Sequence, residues 1–281
     1  MTKMMQITDE LKDWIVSTLK SDVSPIVIAN ALIKKGFDNR FAYETLFQIV
    51  GNEAIKTTDG KQIRYNYEVP EIGRKGNTLY TNDREIKVLS RNEKPFVLHL
   101  DSVLSHEECD ELISLSRSRL LPSRVVDTTS GEERAAAGRT SKGTVFRIRE
   151  NELVARIENR IAELTGFPIE HGEGLQVLNY GIGEEYKPHF DFFPANMVDP
   201  TKGGQRVGTF LIYLNDVADG GETIFPKVGL SIVPKKGAAI YFHYANENGQ
   251  LDRLSVHRSV PVESGEKWVA TKIRESNIYH H

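Results

Sequence analysis

Leu175-Gln176-Val177-Leu178-Asn179-Tyr180, closed by Gly181-Ile182-Gly183, is where the chain changes character. Apolar and polar side chains alternate there and a glycine pair ends the run, the pattern of a strand running into a turn. Seven further stretches of this kind follow, at 187–193, 208–215, 221–226, 229–234, 237–244, 254–262 and 267–275. Turn signals separate most of them: Asp219-Gly220-Gly221, Lys236-Gly237, Asn248-Gly249 and Ser264-Gly265. Eight short strands preceded by helices predict an α+β chain, a double-stranded β-helix (jelly-roll) core with helices backing one sheet.

Working outward toward the N-terminus, residues 1–51 read as a small helical region. Leu11, Trp14, Ile15, Thr18 and Leu19 recur at helical spacing behind a cap at Thr8 or Asp9. A second run over 26–33 stops at Gly36, and a third begins after Asp38 and ends near Val50. The segment from Leu32 to Phe37, with Ala42 and Leu46, resembles small three-helix ubiquitin-associated-type modules, but we favour a helical appendage packed on the main domain or on a partner. Residues 52–94 are polar, with Gly60, Pro70, Gly73 and Gly76, and predict a linker with one hairpin. The main domain is expected over 95–281. It opens with Phe96-Val97-Leu98-His99-Leu100 and a helix capped by Ser105 with Glu108 three residues on. A further helix is expected from Asn151 to Thr165, ended by Gly166. Residues 122–145, rich in Thr, Ser, Gly, Glu and Arg, predict a mobile loop.

Composition narrows the function classes. A net charge of −3 over 281 residues argues against nucleic-acid binding by bulk electrostatics. Cys109 is the single cysteine, so no intrachain disulfide forms, and it reads as a small buried residue. No apolar stretch reaches membrane-spanning length, Met1 to Glu10 is polar, and there is no Asn-x-Ser/Thr acceptor site. The expectation is a cytoplasmic protein with no membrane partner.

The chemistry lies in Tyr186-Lys187-Pro188-His189-Phe190-Asp191-Phe192-Phe193. Residues two apart on a strand share a face, so His189 and Asp191 project together with Phe190 opposite. Two histidines and one carboxylate on one face of an iron form the facial triad of non-haem oxygenases, which leaves positions open for a 2-oxo acid and O2. A lone His-x-Asp pair more often makes a surface hydrogen bond. For the third ligand, His257 in the late strand is the best candidate and His243 its rival; His280 and His281 are terminal.

Ten residues after His257 stands Lys267. A lysine inside a β-barrel is costly unless it meets a charge, and a dicarboxylate cosubstrate would supply one. By parity Lys267 and Lys272 face opposite sides of their strand, so only one of them is expected in the core.

With these residues in place, about 95–275 resembles the prolyl 4-hydroxylase family, most of all its soluble bacterial and phage members. The stretches that carry it are Leu175 to Tyr180, Pro188-His189-Phe190-Asp191, Gly204-Gln205-Arg206-Val207-Gly208-Thr209, Tyr213-Leu214-Asn215-Asp216-Val217, Gly220-Gly221-Glu222-Thr223-Ile224-Phe225-Pro226, Pro234-Lys235-Lys236-Gly237 and Gly265-Glu266-Lys267-Trp268, in matching order and spacing. The resemblance implies Fe(2+) held by His189, Asp191 and His257, with 2-oxoglutarate on Lys267, Tyr180 and Thr223. It implies a proline-containing peptide facing Tyr186 and Arg206, with Arg139 and Ser141 beside a mobile substrate loop. It also implies O2 as oxidant and ascorbate as reductant. One departure is Ile273, where the family usually has tryptophan; Trp268 or Phe242 would then complete the pocket wall. On the residues alone, Tyr180 and Tyr186 equally fit ordinary strand aromatics, Arg206 a solvated loop charge, and Gly220-Gly221 a simple turn. Oxidation of a small molecule or free amino acid by the same site, and a jelly-roll binding module without chemistry, are the competing readings. Asp191 argues against a halogenase, because its carboxylate fills the position halide would need.

Overall fold

The structure is a computed structural model that describes residues 8–20, 25–37, 41–42, 45, 65–126, 133–135, 138–193, 198 and 203–276. In chain order the strands are β1 (Thr78–Tyr80), β2 (Glu85–Glu93), β3 (Phe96–Asp101), β4 (Leu121–Pro122), β5 (Arg124–Val126), β6 (Glu133–Ala135), β7 (Lys142–Phe146), β8 (Leu175–Tyr180) and β9 (Tyr186–His189). They continue with β10 (Arg206–Tyr213), β11 (Asp219–Gly220), β12 (Thr223–Phe225), β13 (Leu230–Ile232), β14 (Ala239–His243), β15 (His257–Ser259), β16 (Val262–Ser264) and β17 (Lys267–Glu275).

The eight strands read from the sequence divide four and four. β14, β10, β17 and β8 are adjacent in a nine-stranded sheet of order β1-β2-β3-β14-β10-β17-β8-β7-β4, and β13-β12-β15-β9 form the facing four-stranded sheet. This is the jelly-roll core. Its ladders are antiparallel, as in the pairings of β10 with β14 and of β17 with β8.

Strand parity sorts two cores. Phe210, Ile212, Ala239, Tyr241, Trp268 and Ala270 turn to the helix-covered side, where they meet Leu112, Leu153, Ile157 and Ile161. Leu211, Tyr213, Ile240, Phe242 and Val269 turn inward toward Phe225 and Ile232 of the small sheet. The large sheet is therefore buried on both faces, and β10 reads as a continuous apolar run. The helices that cover it begin and end as expected. Ser105 and Glu108 close a capping box on His106–Arg117, worth about 1 kcal/mol. Glu152–Thr165 is capped by Asn151 and stops at Gly166 in the left-handed region.

Three sequence expectations change. The hairpin anticipated within 52–94 is β1–β2, and β2 pairs with β3, so the large sheet begins at Thr78. The stretch 122–145 is not one long loop: β5 and β6 pair with each other and β7 joins β8. Thr144 and Phe146 supply β-favouring side chains there, which the polar composition masked. Both Lys267 and Lys272 are buried, at 1% and 3% exposure, because the sheet has an apolar layer on each side. Lys272 is neutralised on the helix side by Glu158, its Nζ donating to Oε1 at 2.5 Å.

At the N-terminus, helices Asp9–Lys20 and Pro25–Lys34 form, with Thr8 Oγ1 accepting from Leu11 N as the cap. The third expected helix falls largely outside the described residues. Ile15, Ile28, Leu32 and Ala42 form a third apolar cluster, and Phe190 packs against it. Among the described residues no helix is long and apolar enough to cross a membrane.

Candidate active site

The small sheet brings the two histidines together. His257 of β15 is the cross-strand partner of His189 of β9, and their ring centroids are 4.3 Å apart. β9 ends at His189, earlier than the expected 187–193, and Asp191 follows in a bend. Its carboxylate still reaches both rings: Oδ1 is 3.5 Å from His189 Nε2, and Oδ2 is 3.8 Å from His257 Nε2. One donor atom from each residue lies within 4.8 Å of the others. His243, the rival ligand, belongs to the other side of the large sheet, where its Nδ1 meets the Tyr241 hydroxyl at 2.9 Å.

The donor set fits a divalent cation. His189 Nδ1 lies 2.8 Å from Lys187 O, and His257 Nδ1 lies 3.1 Å from Ser255 O. A carbonyl can only accept, so each ring carries a proton on Nδ1, which leaves Nε2, the atom turned toward the cluster, as the one that can ligate a cation. Burial, with His189 close by, lowers the His257 pKa to about 4, against the pull of Asp191, so that ring is neutral near pH 7. Burial by itself would raise the Asp191 carboxyl. The two histidines and the Thr209 hydroxyl outweigh it and hold the group well below the usual carboxylate range. Two imidazoles and one carboxylate, each offering one atom, are the ligand chemistry of ferrous facial-triad sites.

Lys267 reaches the strand that carries His257. It pairs in register with Tyr180 across β17 and β8 and donates from Nζ to Ser259 Oγ at 2.8 Å. Its ammonium lies 5.6 Å from the ring centroid of Tyr180 and 5.8 Å from that of Tyr213. Thr223 is buried opposite Ser259 in the small sheet and accepts from the Tyr213 hydroxyl at 2.9 Å. Among the described residues no carboxylate pairs with Lys267, and burial lowers its pKa to about 7, with Glu222 only partly opposing. A cation buried in an apolar shell without a counter-ion is a binding site for an anion that enters with its own charge. Ser259 and Tyr213 were not singled out in the sequence. Parity could have found both: Ser259 is two residues from His257, and Tyr213 is four from Thr209 on the inward face.

The remaining predicted residues sort as follows. Tyr186 stacks on His189 with centroids 3.5 Å apart, and the Arg139 guanidinium lies 5.2 Å from the Tyr186 ring centroid. Ser141 is buried and bonded to Ser123, 2.9 Å between hydroxyl oxygens. Arg206 is not a free loop charge: Nε and Nη2 donate to Glu173, and Nη1 donates to the Asp191 carbonyl at 3.1 Å. Phe242 lies on the inward face, its ring centroid 4.7 Å from that of His257. Trp268 does not line the site. It packs on the helix side, under Arg117, whereas Phe242 and Ile273 flank Thr209 in register on the two neighbouring strands.

The comparisons agree with this geometry. A family model described as the 2OG-Fe(II) oxygenase superfamily matches residues 175–273, a span that holds all three candidate metal ligands and Lys267. "Probable prolyl 4-hydroxylase 8" of Arabidopsis thaliana is 41% identical over 209 residues, 68% of this chain and 71% of that protein. "Prolyl 4-hydroxylase 5" of the same plant is 39% identical over 236 residues, 77% and 79% of the two chains. Among solved structures, the viral collagen prolyl hydroxylase of Paramecium Bursaria Chlorella virus-1 in its 2OG complex superposes with a TM-score of 0.52 at 30% identity, covering 64% of this chain and 96% of that one. With the metal cluster and the buried lysine in one jelly roll, and with relatives of this identity matched over most of their length, the chain belongs to the prolyl 4-hydroxylase family of 2OG-Fe(II) oxygenases.

Proposed function

We propose that this chain hydroxylates a prolyl residue in a peptide or protein, using iron(II), 2-oxoglutarate and O2. The observation that carries the reading is Lys267, buried with no carboxylate partner among the described residues, its Nζ bonded to Ser259, which lies two residues from His257 of the His189–Asp191–His257 cluster on the same strand. Bound iron with 2-oxoglutarate supplies the oxidising chemistry, in which decarboxylation to succinate and CO2 is coupled to hydroxylation of an unactivated carbon.

The chain's own residues do the rest. Lys267, with the Ser259, Thr223 and Tyr180 hydroxyls around it, holds the far carboxylate of the diacid and so fixes which end faces the metal ligands. The rings of Tyr180 and Tyr213 keep water from the lysine and strengthen that charge pair. Tyr186 lies flat on His189 and Arg139 lies over Tyr186, forming a wall against which an extended peptide would rest. The stretches 122–145 and 194–207, which would frame a peptide groove, fall partly outside the described residues. The one cysteine, buried in the helix after Ser105, agrees with a reducing, cytoplasmic setting.

The test is mass spectrometry of host-lysate proteins after incubation with the enzyme, iron(II), 2-oxoglutarate and ascorbate as reductant. A gain of about sixteen daltons on proline, with matching succinate, is the expected result. Succinate release driven by free amino acids or other small molecules, with no modified peptide, would replace this reading with small-molecule oxidation. No succinate under any condition would leave a binding module.

A further inference from the structure

We propose that Thr209 and Tyr244 form a positioning relay on Asp191, in which the Thr209 hydroxyl ties down one carboxylate oxygen and the Tyr244 phenol fixes which way that hydroxyl points. The relay rests on the metal-site reading above and adds two residues to it.

Thr209 sits on the inward face of β10 and is almost fully buried. Its Oγ1 donates to Asp191 Oδ2 at 2.6 Å. The Tyr244 hydroxyl, on a fully buried ring just beyond β14, lies 3.1 Å from the same Oγ1. The proton positions follow from the donor inventory. Asp191 is ionised and can only accept, so Thr209 spends its single proton there. The contact between Thr209 and Tyr244 then has one possible donor, the phenol. The chain of bonds runs Tyr244 to Thr209 to Asp191, each hydroxyl committed in one direction.

Burying a phenol and a hydroxyl away from water is costly unless both are bonded, and here the two satisfy each other and a charge. The tyrosine ring is also locked, with Phe192 and Phe242 centroids at 6.0 Å and 5.9 Å. The relay therefore reaches Asp191 from a rigid part of the large sheet, while Asp191 itself lies in a bend outside any strand.

This matters for the number of coordination positions. A six-coordinate ion held by three protein atoms would keep three positions for a chelating 2-oxo acid and the oxidant. A second oxygen from Asp191 would take one of them. A hydroxyl donating to Oδ2 draws that oxygen's lone pair away and favours binding through Oδ1 alone, as partners outside the ligand shell do for metal carboxylates generally.

Co(II) titration of the full chain without turnover tests the relay, read by affinity and by the visible absorption band. Thr209→Val is expected to weaken Co(II) binding about tenfold and to change the spectral response to added 2-oxoglutarate. Thr209→Ser is expected to restore both. Tyr244→Phe should lose less, because Thr209 can still donate. In the Thr209→Val background Tyr244→Phe should lose nothing further, since there is no hydroxyl left to orient. Wild-type affinity and spectrum in Thr209→Val would overturn the proposal. So would an equal loss from Tyr244→Phe with and without Thr209, because the phenol would then act through packing alone. Should Thr209→Val fail to fold, the serine variant combined with Tyr244→Phe decides, since the phenol must still matter there. Failure of the unmodified protein to bind Co(II) would remove the metal site and the relay with it. Loss of binding in Asp191→Ala alone, with Thr209→Val unaffected, would remove only the relay.

Discussion

His189 and His257 face each other across the ladder between β9 and β15, in direct register, with Asp191 Oδ1 and Oδ2 on the two Nε2 atoms. A pair of strands that must close for the small sheet to form therefore also closes the metal site. Removing Asp191 takes away the negative charge and the anchor together. Asp191→Ala is expected to reduce substrate-dependent succinate release to background, while the far-UV circular dichroism stays that of the parent. Retained succinate formation would count against the assignment of Asp191 as a ligand.

Lys267 offers the far carboxylate of the diacid a charge-assisted bond in a buried setting. Truncating one partner of such a buried pair costs about 2–5 kcal/mol. Lys267→Ala should therefore raise the KM for 2-oxoglutarate by roughly thirtyfold or more. Lys267→Arg should fall between the two, since the longer planar head keeps the charge but not the fit. Steady-state kinetics with 2-oxoglutarate as the varied substrate decides.

The same lysine sets a pH dependence. Burial lowers its pKa to about 7, and a bound carboxylate must raise it, because only the ammonium pairs. Below about pH 7 the amine is already charged and binding takes up no proton. Above that, binding must bring a proton in, so 2-oxoglutarate affinity is expected to fall by about tenfold per pH unit until the raised pKa of the complex is reached. Calorimetric titration between pH 6 and 9, in buffers of differing ionisation enthalpy, would show proton uptake growing over that range. A flat profile would place the functional pKa elsewhere.

Lys272 and Glu158 are a fully internal ion pair on the opposite side of β17. Glu158 also accepts from Arg149 N at 2.8 Å. Lys272→Met strands a buried carboxylate and should cost about 3–5 kcal/mol, whereas Lys272→Met with Glu158→Leu should lie much closer to the parent. Urea denaturation of the two variants gives the comparison. Equal destabilisation would mean that the pair contributes through packing and not through charge.

Much of this was legible in the residues. The eight core strands could be read because each is short and largely apolar and glycine turns separate most of them. At Gly220 and Gly221 the backbone adopts φ of 74° and 72°, which side chains resist. His189 and Asp191 were readable from parity, although the strand ends before Asp191. Arg206 took part differently from a solvated charge, because its partner Glu173 lies 33 positions away and nothing local marks the contact. β7 was hidden by polar neighbours, and Trp268 was misplaced because parity fixes faces only once it is known that both faces are buried. The relay partner Tyr244 carried no motif at all. It is visible only when the end of β14 is set beside β10.

β17 alternates between two interiors with opposite needs. Its odd positions open on a chamber that must recruit a charge from outside, and its even positions on a layer that has already settled its own. A frame slip by one position would carry Lys267 under the helices and turn Trp268 into the chamber. A one-residue insertion in the turn at Ser264-Gly265, just upstream, threatens that frame although the turn itself has open space around Gly265.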